Sequence, residues 1–434
     1  MMFALLAFAG QLIESPLLRM VLENGAIVHA QQIEGARRFS AQLVVATPEP
    51  EIPSQHGRRH LLEHLLAKRL DRILERDGLY LIAATSRETM RFEVIGAPEK
   101  VARGIEALAR LLERPHFAED AATREAPILA EELALTADSR RLSGAAWQAV
   151  FGGQGLDPLG TLAAMRAASS EELTALHGQL FIGPRLVLTI AGPDPASRTG
   201  EMGRSALSAA RAGERPAPAP RAANEPDDPL RVAGARGHAR ALTIPGLPDP
   251  EALAALGLAM AAAAEEDGDV LFTPSARPGV LVAIGARDLA HPSLHLPARR
   301  LLAAWMESAD REPSLATTLR GALLASDPTL TLETLRAAIL RLGSEEFRAA
   351  ARRWRDDGFD VEGVGSDLGT LTESFPRRKP IPRNATRLSA KGRWAKDPTL
   401  RRASNNGGDA CSSHLVSIER EILDLLFSGG RESS

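Results

Sequence analysis

Cysteine is almost absent. The 434 residues contain one, Cys411, which excludes an internal disulfide framework, a Cys-x-x-Cys zinc site and an iron–sulfur cluster. Aromatic residues make up 4% of the chain, with Tyr80 the single tyrosine. Stacking on bases or sugars is therefore not expected, and the cores have to be built from Ala, Leu, Val and Ile. No uninterrupted apolar run approaches the ~18–20 residues that span a bilayer. Neither charge is in excess: 52 Lys+Arg against 55 Asp+Glu give a formal net charge of −3. That balance argues against whole-surface binding of nucleic acid or anionic membrane. What remains is ordinary globular composition, 44% apolar and 25% charged, in a chain long enough to bury sizeable cores without staples.

The ends of the chain differ from its middle. Met2 to Ala9 is a short apolar run ending in Ala7-Phe8-Ala9, with small residues at signal-cleavage offsets, but no Lys or Arg precedes Arg19. A positive n-region is thus missing. A buried first strand and an atypical export signal both fit, so the compartment stays open: periplasmic or secreted with a signal, cytoplasmic without one. From Arg377 to Arg402 the chain carries ten Lys/Arg and one acid. This reads as a solvated basic tail or as a docking segment for an acidic surface, with Leu415 to Phe427 as a short amphipathic helix inside it.

Between these ends the hydrophobic pattern alternates between strand and helix. Strands are expected within Met20–Gln31, around a turn, and at Phe39–Ala46. Leu61, Leu62, Leu65, Leu66, Leu70, Ile73 and Leu74 recur at three and four residues, predicting a helix over His60–Arg76. Leu79–Thr85 and Thr89–Ile95 flank a short turn and predict a hairpin. Helices follow at Pro98–Leu112, Glu119–Asp138 and Ser170–His177, then a strand at Arg185–Ala191. Residues 214–229, rich in Pro, Ala and Asp, read as an exposed linker. The order then repeats in weaker form: a strand at Arg240–Ile244, a helix at Glu251–Ala264, a strand at Val280–Ile284, further helices, and a strand at Phe359–Val364. The division is therefore 1–213, a linker 214–229, 230–375 and a tail 376–434, with two similar α+β units rather than three domains.

One motif carries chemistry. In His60-Leu61-Leu62-Glu63-His64 the two histidines stand at i and i+4 and share a helix face, so both imidazoles can converge on one ion. Two neutral imidazoles and a carboxylate suit tetrahedral Zn²⁺, which in a catalytic site takes three protein ligands and keeps a fourth position open. The third ligand has to come from another helix. Glu131-Glu132 is the natural candidate, with Glu125 about two turns earlier. Other residues invite blander readings. His56 reads as a loop residue, and His116 and His177 as surface or structural. Gly152-Gly153-Gln154-Gly155 lacks the Lys-Ser/Thr of a phosphate loop, and Trp147, Trp305, Trp354 and Trp394 show no stacking spacing.

The chain resembles the pitrilysin/insulinase-type (inverzincin) zinc metallopeptidases, the group that includes the mitochondrial processing peptidases, over most of residues 20 to 371. Gly57 through His64 is similar to that family's glycine-led inverted zinc motif. Ala84-Thr85-Ser86-Arg87-Glu88-Thr89 resembles the hairpin after the zinc helix, and Arg114-Pro115-His116-Phe117 the loop before the ligand helix. Glu125 and Glu132 are seven apart, as are two glutamates of the family, and Asp157-Pro158-Leu159-Gly160-Thr161 and Ala191-Gly192-Pro193 resemble later landmarks. The resemblance implies two homologous α+β domains, each an antiparallel sheet with helices packed on it, with metal in the first only. It implies His60, His64 and Glu132 as zinc ligands, with Glu131 as fallback. Glu63 would be the general base and Glu125 a residue that orients a ligand or the water.

It further implies a zinc endopeptidase acting on peptides or small unfolded proteins, which add as a strand near Leu81–Thr85. The family's departures here matter. The spacing from His64 to the acid is short, and the loop after the zinc helix is gone, so Lys68 continues the helix. Ile82 stands where asparagine is usual. The stretch Val270 to Gly279 has no tyrosine to meet a substrate carbonyl, which leaves Arg277 as a carbonyl contact or as a solvated loop arginine. Family members of this length often work as paired homologous subunits. An inactive peptide-binding or partner subunit is therefore the alternative to an enzyme, and a non-peptide hydrolase a third reading.

Overall fold

The computed structural model describes residues 16–365 apart from Pro216 and Arg287. The apolar N-terminal run, the basic tail with its Leu415–Phe427 segment, Trp394 and Cys411 lie outside the described residues.

The first unit contains β1 (Leu17–Val21), β2 (Ile27–Gln32), β3 (Phe39–Ala46), α1 (Arg58–Asp77), β4 (Tyr80–Thr85), β5 (Thr89–Gly96), α2 (Val101–Ala109), α3 (Ala121–Ala134), α4 (Asp138–Phe151), α5 (Leu162–Arg166), α6 (Ser170–Leu180), β6 (Leu186–Gly192) and α7 (Ala196–Leu207). The second contains β7 (Leu230–Ala233), β8 (His238–Ile244), α8 (Pro250–Glu266), β9 (Asp269–Leu271), β10 (Gly279–Ile284), α9 (His295–Arg311), α10 (Pro313–Ser326), α11 (Leu332–Arg341), α12 (Ser344–Asp356) and β11 (Phe359–Val364). The architecture is α+β, with one sheet per unit. The six-stranded sheet runs β1-β2-β6-β3-β5-β4 and the five-stranded one β7-β11-β8-β10-β9. Neither is wholly antiparallel, contrary to expectation. β2 pairs with β6 in parallel, as does β7 with β11, because the two strands of each pair are joined through a long excursion of helices and other strands rather than a hairpin.

All eight residues of β3 are buried, since both faces of the first sheet are covered. On one face Ala41, Leu43 and Val45 join the core made with Leu61, Leu62, Leu66, Leu70 and Leu74 of α1. The other face meets α10 of the second unit. There Ser40 Oγ lies 2.7 Å from Thr317 Oγ1, Gln42 donates to Thr318 at 3.0 Å, and Arg320 donates to Gln31 at 3.0 Å. Val44 and Ala46 pack with Leu324 and Ala325 beside this polar seam.

β7, β9, α4, α5 and α7 have no counterpart in the expected elements. β7 and β9 are four and three residues long, too short for alternation to register. α7 buries Ala196, Thr199, Gly200, Gly203 and Leu207, a face of mostly small residues without a leucine period. The helix expected to reach Asp138 ends at Ala134, and Asp138 instead begins α4. Residues 214–229 form no helix or strand among those described. They are nonetheless tied down, with Asn224 N donating to Val150 O at 2.8 Å and Arg221 pairing with Glu88 at 2.9 Å.

Candidate metal centre

The site begins where α1 does. Gly57, at φ 95°, turns the chain into the helix without a side-chain cap of its own. The carboxylate of Glu51 does that work from the preceding loop, accepting from Gly57 N at 3.0 Å and Arg59 N at 2.9 Å. Two of the helix's first N–H groups are thereby satisfied, and a negative charge faces the positive end of the helix. The first turns of α1 are then buried, with His60, Glu63 and His64 each at most 6% exposed.

Each imidazole is held by its Nδ1. His60 Nδ1 lies 3.2 Å from Leu159 O and His64 Nδ1 3.1 Å from Glu125 Oε1. A carbonyl can only accept, so His60 Nδ1 carries its proton and Nε2 presents a lone pair, the arrangement found at metal-binding histidines. Both Nε2 atoms converge on one oxygen of α3: Glu132 Oε2 is 3.3 Å from His60 Nε2 and 3.1 Å from His64 Nε2. A tetrahedral ion with bonds of 2.0–2.2 Å holds its donors about 3.3–3.6 Å apart, close to these separations. Donor atoms of His60, Glu63 and His64 also lie within 4.8 Å of one another. Glu131, the fallback ligand, is exposed on α3. The donor set and its spacing therefore fit a divalent cation.

Charge supports the same fit. Burial pushes the Glu63 carboxyl above its ordinary range, against the pull of His64 and His60. Its Oε2 accepts from Thr85 Oγ1 of β4 at 3.3 Å, while Oε1 is buried with no hydrogen-bond partner. Burial would lower His64, but hydrogen bonding to Glu125 and the carboxylates of Glu132 and Glu63 outweigh it and push the ring up to about 10. Without a metal, a proton on His64 supplies the positive charge the carboxylates call for. Burial raises Glu125 too, but His64 and Lys68 overcome that and hold it below the usual carboxylate range. Lys68 closes on Glu125 in a salt bridge.

Several supports were not among the expected site residues. Lys68 could have been found, since it stands four residues after His64 on the same helix face. Glu51 lies in the loop just before the helix, whereas Thr85 and the Leu159 carbonyl reach the site only through tertiary contact. The Asp157–Thr161 segment docks on the start of α1, with His56 Nε2 2.6 Å from Asp157 O and Thr161 N donating to His56 O at 3.1 Å. His56 is thus a buried anchor rather than a plain loop residue. Gly160 has φ +75°, and a Cβ there would lie 2.1 Å from Gly57 Cα. Gly160→Ala is expected to destabilise the chain by about 1–3 kcal/mol from backbone strain alone, with more from the clash, and to move Leu159 O off His60. Denaturant unfolding beside zinc titration would check both effects. Glu125→Gln keeps the shape but removes the charge that orients His64, and a 10–100-fold loss of metal affinity is expected from such a change, read by competition with a chelator.

Arg277 is not a solvated loop arginine. Its side chain is 10% exposed and is held by Glu88 at 3.0 Å, Pro48 O at 2.9 Å and Ala219 O at 2.6 Å. His177 is structural, with Nε2 2.8 Å from Leu111 O. β4 is an edge strand of its sheet, and Thr85 at its end touches Glu63.

No protein-family model and no curated protein sequence matches the chain. Solved structures do. An M16-like peptidase from Alicyclobacillus acidocaldarius superposes with a TM-score of 0.66 at 14% identity, over 82% of this chain and 100% of that one. A protease from Helicobacter pylori gives 0.63 at 14%, over 80% and 100%. The periplasmic protease PqqL from Escherichia coli gives 0.62 at 12%, over 81% of this chain but 48% of its own. The chain accordingly has the two-unit α+β fold of the M16-like peptidases.

Proposed function

We propose that this protein is a zinc-dependent endopeptidase for peptides or small unfolded proteins. The observation that carries the reading is the convergence of His60 Nε2, His64 Nε2 and Glu132 Oε2, with the unpartnered Glu63 Oε1 beside them. Zinc held by those three residues would supply Lewis acidity to a scissile carbonyl and to the water that attacks it. The protein's own part is proton handling and positioning. Glu63 Oε1 takes the proton of the attacking water and returns it to the departing amine. Burial, by raising this carboxyl, brings its basicity closer to neutral pH. Glu125 and the Leu159 carbonyl fix the two rings so that Nε2 faces inward. The free edge of β4 offers main-chain hydrogen bonds to an extended peptide, which gives broad tolerance of sequence.

A second reading, a catalytically weak peptide-binding or partner subunit, is favoured by one feature. The Val270–Gly279 stretch offers no tyrosine, and its arginine is committed to Glu88. The chain matches about half of PqqL, which is consistent with work beside a second homologous subunit. The deciding experiment is hydrolysis of a quenched peptide by purified protein that is metal-stripped and then reloaded with zinc. Activity lost with the metal and restored by it supports the enzyme. Stoichiometric zinc with no hydrolysis, alone or with a homologous chain, supports the partner subunit.

A further inference from the structure

A group of arginines lies beside the candidate metal centre and takes no part in it. Arg87 follows Thr85 by two residues in the β4–β5 turn, and its guanidinium stacks over Trp147 of α4 at 4.6 Å from the ring centroid. Its Nε donates to Gly155 O at 3.3 Å. Arg221 lies over the same ring at 5.3 Å, with a side chain 4% exposed and an Nε that is buried without a partner. Arg140 reaches Asp157 at 3.4 Å, and Arg277 joins Arg221 on Glu88.

Four guanidinium groups thus face two carboxylates, Glu88 and Asp157. Glu88 is fully used, held by Arg221, Arg277 and Ser275 Oγ at 2.6 Å. Asp157 Oδ1 is shared between Arg140 and Leu159 N at 2.9 Å. Arg87 has no ion-pair partner among the described residues. Burial, helped by the nearby Arg140 and Arg221, pushes it down to about 10, against the opposing charges of Asp157 and Glu88. Gln154, on the turn that carries Gly155, leaves its Oε1 buried and unpartnered as well. A buried surplus of positive charge is costly unless an anion answers it.

The position decides which anion. The group touches the metal centre along two routes. Thr85, next but one to Arg87, donates to Glu63, and the Asp157–Leu159 segment supports His56 and His60. A peptide extended along β4 past Thr85 would run to Arg87 and Arg140. We propose that Arg87 and Arg140 form an anion subsite of the peptide cleft that takes a carboxylate of the substrate, so that acid-bearing peptides are preferred. This rests on the peptidase reading, whose failure the experiment below separates from its own.

Calorimetric titration of the zinc-loaded Glu63→Gln full chain would test it, using unlabelled ten-residue peptides that stay uncleaved. The set is an uncharged C-terminal amide, the same amide with one Gln replaced by Glu at successive positions, and the free C-terminal acid. At least one acid-bearing form is expected to bind about tenfold tighter than the neutral amide. The Glu series and the free acid tell a side-chain carboxylate from a terminal one. The advantage should shrink at high salt and fall to about twofold or less once Arg87→Gln or Arg140→Gln is added. Equal binding of all forms overturns the proposal, as does an advantage that both substitutions leave intact. So does a uniform loss of binding with a lowered Tm, which would mark the cluster as structural only. If acid-selective binding persists but the chain with Glu63 restored hydrolyses nothing, the enzyme reading falls and the subsite stands.

Discussion

Glu63→Gln is expected to lower peptide hydrolysis by about a thousandfold or more while zinc stays at one per chain. Positioned general bases contribute roughly 10²–10⁴-fold, and the other two carboxylates at the centre, among the described residues, are already engaged. Glu125 is occupied by His64 and Lys68, and Glu132 is turned to the two imidazoles. Glutamine preserves the side-chain volume and the acceptor to Thr85, so the helix and the ligand set should persist. Stability should not fall in the metal-free chain, because the buried carboxyl is held above its ordinary range by burial. A neutral amide removes the cost of ionising it in the fold at neutral pH. Hydrolysis rate, metal content by elemental analysis and thermal midpoint together read the outcome. Undiminished hydrolysis would remove Glu63 from the mechanism.

The second large effect concerns the metal and the proton that competes with it. In the metal-free chain His64 is pushed up to about 10 by Glu125, Glu132 and Glu63, against the opposing effect of burial. Zinc must displace that proton, so apparent affinity should rise about tenfold per pH unit until the pH approaches that value. Between neutrality and pH 10 this amounts to about three decades. The sign of the linked stability is opposite. The folded-state value lies above the unfolded one, so the metal-free chain keeps this stabilisation fully below about pH 6.5. It loses it as pH rises through about 10. His64→Ala should remove the slope together with more than about a hundredfold of the affinity, since even residues that merely orient a ligand are worth 10–100-fold. Chelator competition across pH 6 to 9 measures both. A flat profile with retained zinc would mean that His64 is not a ligand.

Much of the first unit was legible before any coordinates. The leucine spacing after His60 foretold α1 to within two residues at its start and one at its end, and Phe39–Ala46 and Thr89–Ile95 emerged as strands because their apolar character is continuous or alternating. The second unit was less legible. α8 is rich in alanine and buried nearly all round, so it announces a helix but no facing side. The linker's composition pointed to solvent, yet Arg221 within it reaches Glu88 and the Trp147 ring. Composition records exposure on average and is blind to a single long side chain folding back.

At the candidate site the division has a clear physical basis. The order His60-x-x-Glu63-His64 sufficed by itself to put two imidazoles and a carboxylate on adjoining positions of one helix, because helical geometry makes i and i+4 neighbours wherever the helix sits. The seven-residue offset of Glu125 from Glu132 likewise put both on one side of α3. Only the tertiary structure decided that Glu132 rather than Glu131 faces the histidines, that Leu159 O and Glu125 set the two rings, and that Arg277 is tied to Glu88. Those contacts join segments from roughly sixty to nearly two hundred residues apart. Local pattern carries no information about which distant atom arrives, since that depends on how whole helices and sheets pack against one another.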